Sequence, residues 1–151
     1  MVIAQSLRAA SSIETRITAP RRPSIVLVVE QHLVLRRAIA VFLRDQLTNA
    51  TAVRSVAADD HVQLTHMLTQ SPQIILVGLG SPAKHGLTLI AQVRAALPDA
   101  AIVAFCWWDD DTYHQSAQGA GADAFICTDK LHMQLLDILH ELLGGGNCAD
   151  S

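Results

Sequence analysis

The sequence predicts an α/β fold: five strand–helix units in strict alternation, with the strands in one parallel sheet. Two observations predict it. Short, unbroken apolar runs recur along the chain, and between them lie segments with apolar residues spaced three or four apart. Continuous apolar runs suit strands covered on both faces, and the intervening spacing suits helices that cover them. Strand and helix in alternation imply right-handed crossovers and helices on both sides of the sheet.

The first strand is expected at Ile25–Val29, and Leu35, Ile39, Phe42 and Leu43 mark the helix after it. Thr51–Val56 is a weaker, mixed strand. Asp59 or Asp60 then supplies a cap for a helix running through Leu68. Ile74–Val77 is the third strand. Leu87, Ile90, Val93 and Leu97 mark the third helix, which Pro98 stops. Ala101–Phe105 is the fourth strand. The helix after Asp109 is polar, with Tyr113 and Ala117 as its core candidates, so it should be well exposed. Ala124–Cys127 is the fifth strand, and Leu131, Leu135, Ile138, Leu139 and Leu142 stripe the last helix. Five such units suggest a flavodoxin-like three-layer sandwich with strand order 2-1-3-4-5. In such folds the functional crevice lies beyond the carboxyl ends of the strands.

The expected domain spans 24–143. Residues 1–23 and 144–151 read as flexible tails, the first rich in Ser, Thr and Arg and the second opening on Gly-Gly-Gly-Asn. Arg8, Arg16, Arg21 and Arg22 in the first tail face only Glu14 and are read as solvated charges. Half of the residues are hydrophobic and 17% are charged, enough apolar material for one core. The formal net charge of -3 provides no overall basic field for nucleic acid or an anionic membrane. No secretory signal is visible, and no apolar run reaches the ~20 residues of a membrane span. A cytoplasmic location is expected. Cys106, Cys127 and Cys148 lack metal-type spacing and are expected to be reduced thiols.

The residues after the strands carry a resemblance. Val-Leu-Val-Val-Glu-Gln-His-Leu-Val-Leu-Arg-Arg (Val26 to Arg37) is similar to the opening of response-regulator receiver (CheY-like) domains, where an acidic pair ends the first strand. Pro72-Gln-Ile-Ile-Leu-Val-Gly-Leu-Gly-Ser-Pro-Ala-Lys-His-Gly-Leu (to Leu87) resembles the segment around that family's phosphoacceptor, with Pro82, Gly86 and Leu87 in place. Gly119-Ala-Gly-Ala-Asp-Ala-Phe (to Phe125) is the most specific match and leads into the fifth strand. The likeness covers about Ser24 to Leu143. It is greatest to receivers that precede a helix-turn-helix output domain; none follows here, so a stand-alone receiver is expected.

The chemistry implied by that resemblance needs a carboxylate nucleophile, a hard cation on oxygen ligands, and a lysine and a hydroxyl that stabilise phosphoryl oxygens. This chain departs at nearly every such position. The acidic pair is Glu30 and Gln31, the nucleophile position is Gly78, the hydroxyl position is Cys106, and the lysine position is Thr128, with Lys130 two residues on. Phe125 keeps the family's switch aromatic. The expectation is a degenerate, pseudo-receiver variant without aspartyl phosphorylation, cofactor or enzymatic activity. It would act in two-component-type signalling or phosphorelays through protein–protein contacts.

Other residues have two readings each. His32 and His85 could join Glu30 as a metal set or be solvated loop residues, and the second reading is adopted. His61 and His66 are five apart, which fits surface residues better than a helical metal pair. Cys106 and Cys127 end neighbouring strands and could form a redox pair or be buried inert thiols, the latter being adopted. Asp109, Asp110 and Asp111 suit a helix start. Gly78-Leu79-Gly80 matches neither a dinucleotide fingerprint nor a P-loop. Trp107 and Trp108 are the most unusual local feature. One is expected to pack over the emptied pocket and the other to be an exposed anchor. With Tyr113 and Phe125 they mark the face formed by the fourth helix, fifth strand and fifth helix, where a homodimer or an unknown signalling partner would bind. The alternative is a small-ligand module that uses the vacated crevice.

Overall fold

The computed structural model describes residues 24–47, 51–80 and 82–143. The expectations for residues 1–23 and 144–151, including the arginine-rich tail and Cys148, lie outside them. The strands are β1 (Ser24–Val29), β2 (Thr51–Val56), β3 (Ile74–Gly78), β4 (Ala101–Cys106) and β5 (Ala124–Cys127). The helices are α1 (Leu33–Gln46), α2 (His61–Leu68), α3 (Ala83–Ala96), α4 (Asp111–Ala120) and α5 (Leu131–Leu143), with a 3₁₀ turn at Thr128–Lys130 before α5. All the strand pairs are parallel, and the sheet order is β2-β1-β3-β4-β5. This is the flavodoxin-like receiver fold, in the order expected from the sequence.

Side chains alternate between two cores. Leu27, Val29, Ile75, Val77, Ile102 and Ala104 point to the face covered by Leu64 of α2, Leu89, Ile90 and Val93 of α3, and Ala117 of α4. Val26, Val28, Ile74, Leu76, Val103 and Phe105 point to the other face, under Ile39, Ala40 and Leu43 of α1 and Leu135 and Leu139 of α5. Burial on both faces explains the unbroken apolar runs of β1, β3 and β4. The β2 strand lies at the sheet edge, and its run is broken by the exposed Arg54.

Helix starts are set locally. The Asp60 carboxylate accepts from the Gln63 N–H at 3.2 Å and opens α2, and that of Asp110 accepts from Thr112 N–H at 2.7 Å and opens α4. The aspartate run therefore caps, as expected. On α4 only Ala117 is buried, while Tyr113 is half-buried against the core.

The Gly-Ala-Asp segment before β5 is held by Arg94 of α3. Its guanidinium donates to the carbonyls of Gly121 (2.8 Å) and Ala100 (2.6 Å) and pairs with Asp123 at 2.6 Å. The same Asp123 oxygen accepts from Ile102 N–H at 2.8 Å. One arginine thus ties the end of α3, the start of β4 and the entry to β5. The link was not visible in the sequence, since it joins residues far apart in the chain.

Candidate functional site

The carboxyl ends of the strands bring together Glu30 and Gln31 after β1, Gly78 at the end of β3, Cys106 at the end of β4 and Thr128 after β5. The β1/β3 side is closely packed. Glu30 is 6% exposed, and its carboxylate lies over Gly78. A Cβ added to Gly78 would overlap Glu30 Oε1 and come within 3.0 Å of Phe105 Cε2. Glycine is therefore what lets the longer Glu30 side chain fold across the end of β3. Glu30 Oε2 accepts from the His32 N–H at 2.8 Å, and Arg36 donates to the Glu30 carbonyl at 2.9 Å. The neighbouring Gln31 amide oxygen accepts from Asp59 N–H at 3.0 Å and clamps the loops after β1 and β2 together.

A second glycine matters here. A Cβ on Gly86 would lie 2.5 Å from Leu79 Cα and 2.6 Å from its carbonyl oxygen. The first turn of α3 thus rests directly on the backbone that leaves β3. Backbone cannot yield as a flexible side chain can, which is the physical reason for glycine at that motif position.

The β4/β5 side is built differently. Cys106 is buried and Cys127 half-buried, and they are register partners across β4 and β5. Both are free thiols, so the expectation of two buried thiols holds for Cys106 only. Cys127 Sγ donates to the Trp107 carbonyl at 3.4 Å, and the Asp129 carboxylate beside it pushes the thiol pKa up. Thr128 is buried, and its hydroxyl has no hydrogen-bond partner among the described residues. Lys130 is exposed on the 3₁₀ turn.

Neither tryptophan covers the pocket, which corrects the expectation for one of them. Trp107 is 60% exposed and Trp108 49% exposed. The space above Gly78 is already taken by Glu30, so no indole is needed there. Trp108 leans on Tyr113 with ring centroids 6.1 Å apart, and Phe125 stacks on His114 at 5.0 Å. Trp108 and Tyr113 thus form one aromatic pair near the start of α4, and His114 and Phe125 a second between α4 and β5.

A cavity of about 500 Å³ opens beside Glu30, but toward α2 and α3 rather than toward Cys106. Glu30, Asp59, His61 and His85 line it, and His32 does not. His66 is exposed on α2, as expected. Among the described residues no group of three His, Cys, Asp or Glu side chains is placed to hold a metal ion. The Mg²⁺ implied by receiver chemistry does not fit the residues present. The Glu30 carboxylate is turned onto Gly78, and the Gln31 amide is engaged by Asp59.

The class defined by this architecture is the response-regulator receiver fold. The isolated receiver domain of RcsB from Salmonella enterica serovar Typhimurium matches with a TM-score of 0.68 at 14% identity, covering 81% of this chain and 89% of that one. A LuxR-family two-component response regulator from Aurantimonas sp. matches at 0.68 with 19% identity, covering 81% and 86%. A response regulator from Burkholderia pseudomallei, solved with a phosphorylated aspartic acid, calcium ion and citrate, matches at 0.64 with 24% identity, covering 79% and 66%. The longer RcsB response regulator of Salmonella typhimurium matches at 0.69 with 14% identity, and this chain covers 62% of its length. No protein-family model matches the sequence, and no curated protein does. No helix among the described residues is long and apolar enough to cross a membrane.

Proposed function

We propose that the chain is a receiver-type signalling module that works by protein–protein interaction, without phosphorylation and without catalysing a reaction. The observation that carries this reading is the Glu30 carboxylate seated over Gly78. A phosphoacceptor needs a carboxylate at the end of β3, and here the backbone offers none while a neighbour fills its space. Cys106 and Thr128 stand where a hydroxyl and a lysine would stabilise phosphoryl oxygens. A thiol is a weak donor, and a threonine carries no charge. A cytoplasmic place in a two-component-type pathway goes with this reading.

The interaction face is α4, β5 and α5, with Trp107 and Trp108 as anchors. Two adjacent exposed indoles beside Tyr113 supply large apolar area at little entropic cost, as interface hot spots do. The partner is a second copy of the chain or another signalling protein. Sedimentation equilibrium of the wild type and of Trp108→Ala, together with binding to a partner isolated from the host, tests this. The substitution is expected to weaken self-association or partner binding by about tenfold or more, the cost of an aromatic hot spot. An unchanged oligomeric state together with unchanged partner affinity would overturn the assignment of the face.

A further inference from the structure

Cys106 and Cys127 close the ladder between β4 and β5 as its last pair of register partners. Partners in a parallel ladder point to the same face of the sheet, and the packing follows that rule here. Ala104 and Phe125 pack in the core under α2, α3 and α4, while Phe105 and Ile126 pack in the other. Cys106 belongs to the first of these cores, so Cys127 projects beside it. Neighbouring strands lie about 4.8 Å apart. A disulfide spans Cα separations of about 4.4–6.8 Å. The backbone spacing thus suits a bridge.

The two sulfurs differ in access. Cys106 is 3% exposed, whereas Cys127 is half-buried. Cys127 Sγ already leans onto β4, since it donates to the carbonyl of Trp107, the residue after Cys106. Asp129 keeps this thiol protonated to higher pH, which slows its reaction without making it inert. Both thiols are free in this structure. In a compartment that keeps thiols reduced, a disulfide that does form is usually transient and redox-sensing.

We infer that Cys106 and Cys127 are a reversible redox pair, oxidised to a disulfide by a low-molecular-weight disulfide such as oxidised glutathione. Cys127 loses its proton, and its sulfur attacks one sulfur of the oxidant and expels the other as a thiolate. Cys106 then loses its proton and attacks Cys127 Sγ, expelling the second thiolate. The protein pair gives up two electrons and two protons, and the oxidant takes them up to become two thiols. Loss of the Cys127 S–H also removes its hydrogen bond to the Trp107 carbonyl. Oxidation thereby acts on the segment that carries Trp107 and Trp108. Its effect on a partner rests on the interaction face proposed above, whereas the disulfide rests on the β4–β5 register. Trp108→Ala leaves both cysteines in place, so the two readings fail separately.

The test incubates the full chain with oxidised glutathione, blocks free thiols in acid and reads Asp-N peptides by mass spectrometry without reduction. That protease separates Cys106, in peptide 99–108, from Cys127, in peptide 123–128. The two peptides are expected to be linked, and dithiothreitol should release them. Cys127 lies 21 residues from Cys106 and 21 from Cys148, so chain closure alone favours neither partner. The folded chain should nevertheless link Cys127 to Cys106 at least about tenfold more than to Cys148, and urea should abolish that preference. Cys106→Ser should stop with glutathione on Cys127, and Cys127→Ser should leave Cys106 unmodified. In ¹⁵N spectra, oxidation should shift the indole N–H signals of Trp107 and Trp108. The pairing is overturned by the absence of a linked pair, by an equally frequent Cys127–Cys148 link in the folded chain, or by glutathione on Cys106 in Cys127→Ser. Unmoved indole signals would overturn its action on the tryptophan segment.

Discussion

The two halves of the sheet's carboxyl edge have gone opposite ways. On the β1/β3 half, a glycine ends the strand, and a buried carboxylate lies over it. On the β4/β5 half, small residues end the strands, and two indoles project beside them into solvent. The first half is internally satisfied at close range, with Glu30 against Gly78 and Gln31 bound to Asp59. The second leaves Trp107 and Trp108 exposed and, among the described residues, Thr128 Oγ1 without a partner. Packing is tight on the first half and loose on the second.

That contrast can be broken by substitution. The largest effect is expected from Gly78→Asp. The new side chain collides with Glu30 and buries a second carboxylate beside the first, costing about 3–5 kcal/mol of stability by urea denaturation. Loss of less than about 1 kcal/mol would show that Glu30 swings away freely. Gly86→Ala is next, at about 1–3 kcal/mol, because its Cβ meets the Leu79 backbone. Arg94→Ala removes the tie among α3, β4 and β5 and should cost about 1–3 kcal/mol; its ion pair with Asp123 is partly exposed and contributes the smaller share. Trp107→Ala, on the looser half, should change stability by less than about 1 kcal/mol, since its ring is mostly in solvent.

The smallest effect concerns Cys127. Asp129 raises its thiol pKa, so the fold favours the protonated form. The stabilisation is complete below the unfolded-state pKa and is lost as pH rises through the higher folded-state value. Alkylation by iodoacetamide, followed at the Cys127 peptide by mass spectrometry, should therefore reach its half-maximal rate at a higher pH in the folded than in the unfolded chain. Asp129→Asn should lower that midpoint. A folded-state midpoint at or below the unfolded one would contradict the role given to Asp129.

Much of the fold was legible because both faces of the sheet are covered. Runs such as Ile74–Val77 have no polar alternation that would let them be half-exposed strands, and each was met by a helical stripe. Strand ends moved by one residue, at Ser24, Gly78 and Cys106, where small or polar residues close an apolar run. That the third strand ends without a carboxylate was legible too, since Gly78 is an identity at a position. Where Glu30 would go was not. A glutamate after a strand can point to solvent, to a cation or across the sheet, and only the space left by Gly78 decides. The tryptophans were misjudged for the same reason: one indole was assigned to a vacancy that a carboxylate had already filled. Asp59 and His61 were seen only as a cap and a surface residue. Their place in the crevice depends on how the loop after β2 meets that after β1, through a single Gln31 hydrogen bond.

The most direct test is an NMR titration of the ¹⁵N-labelled chain with beryllofluoride and Mg²⁺, repeated with acetyl phosphate. A phosphorylation-independent module gives no Mg²⁺-dependent shifts around Gly78, Cys106 and Thr128, and no phosphorylated species by mass spectrometry. A stable, Mg²⁺-dependent adduct at these residues would contradict the central claim, since it would require an acceptor that Gly78 does not provide.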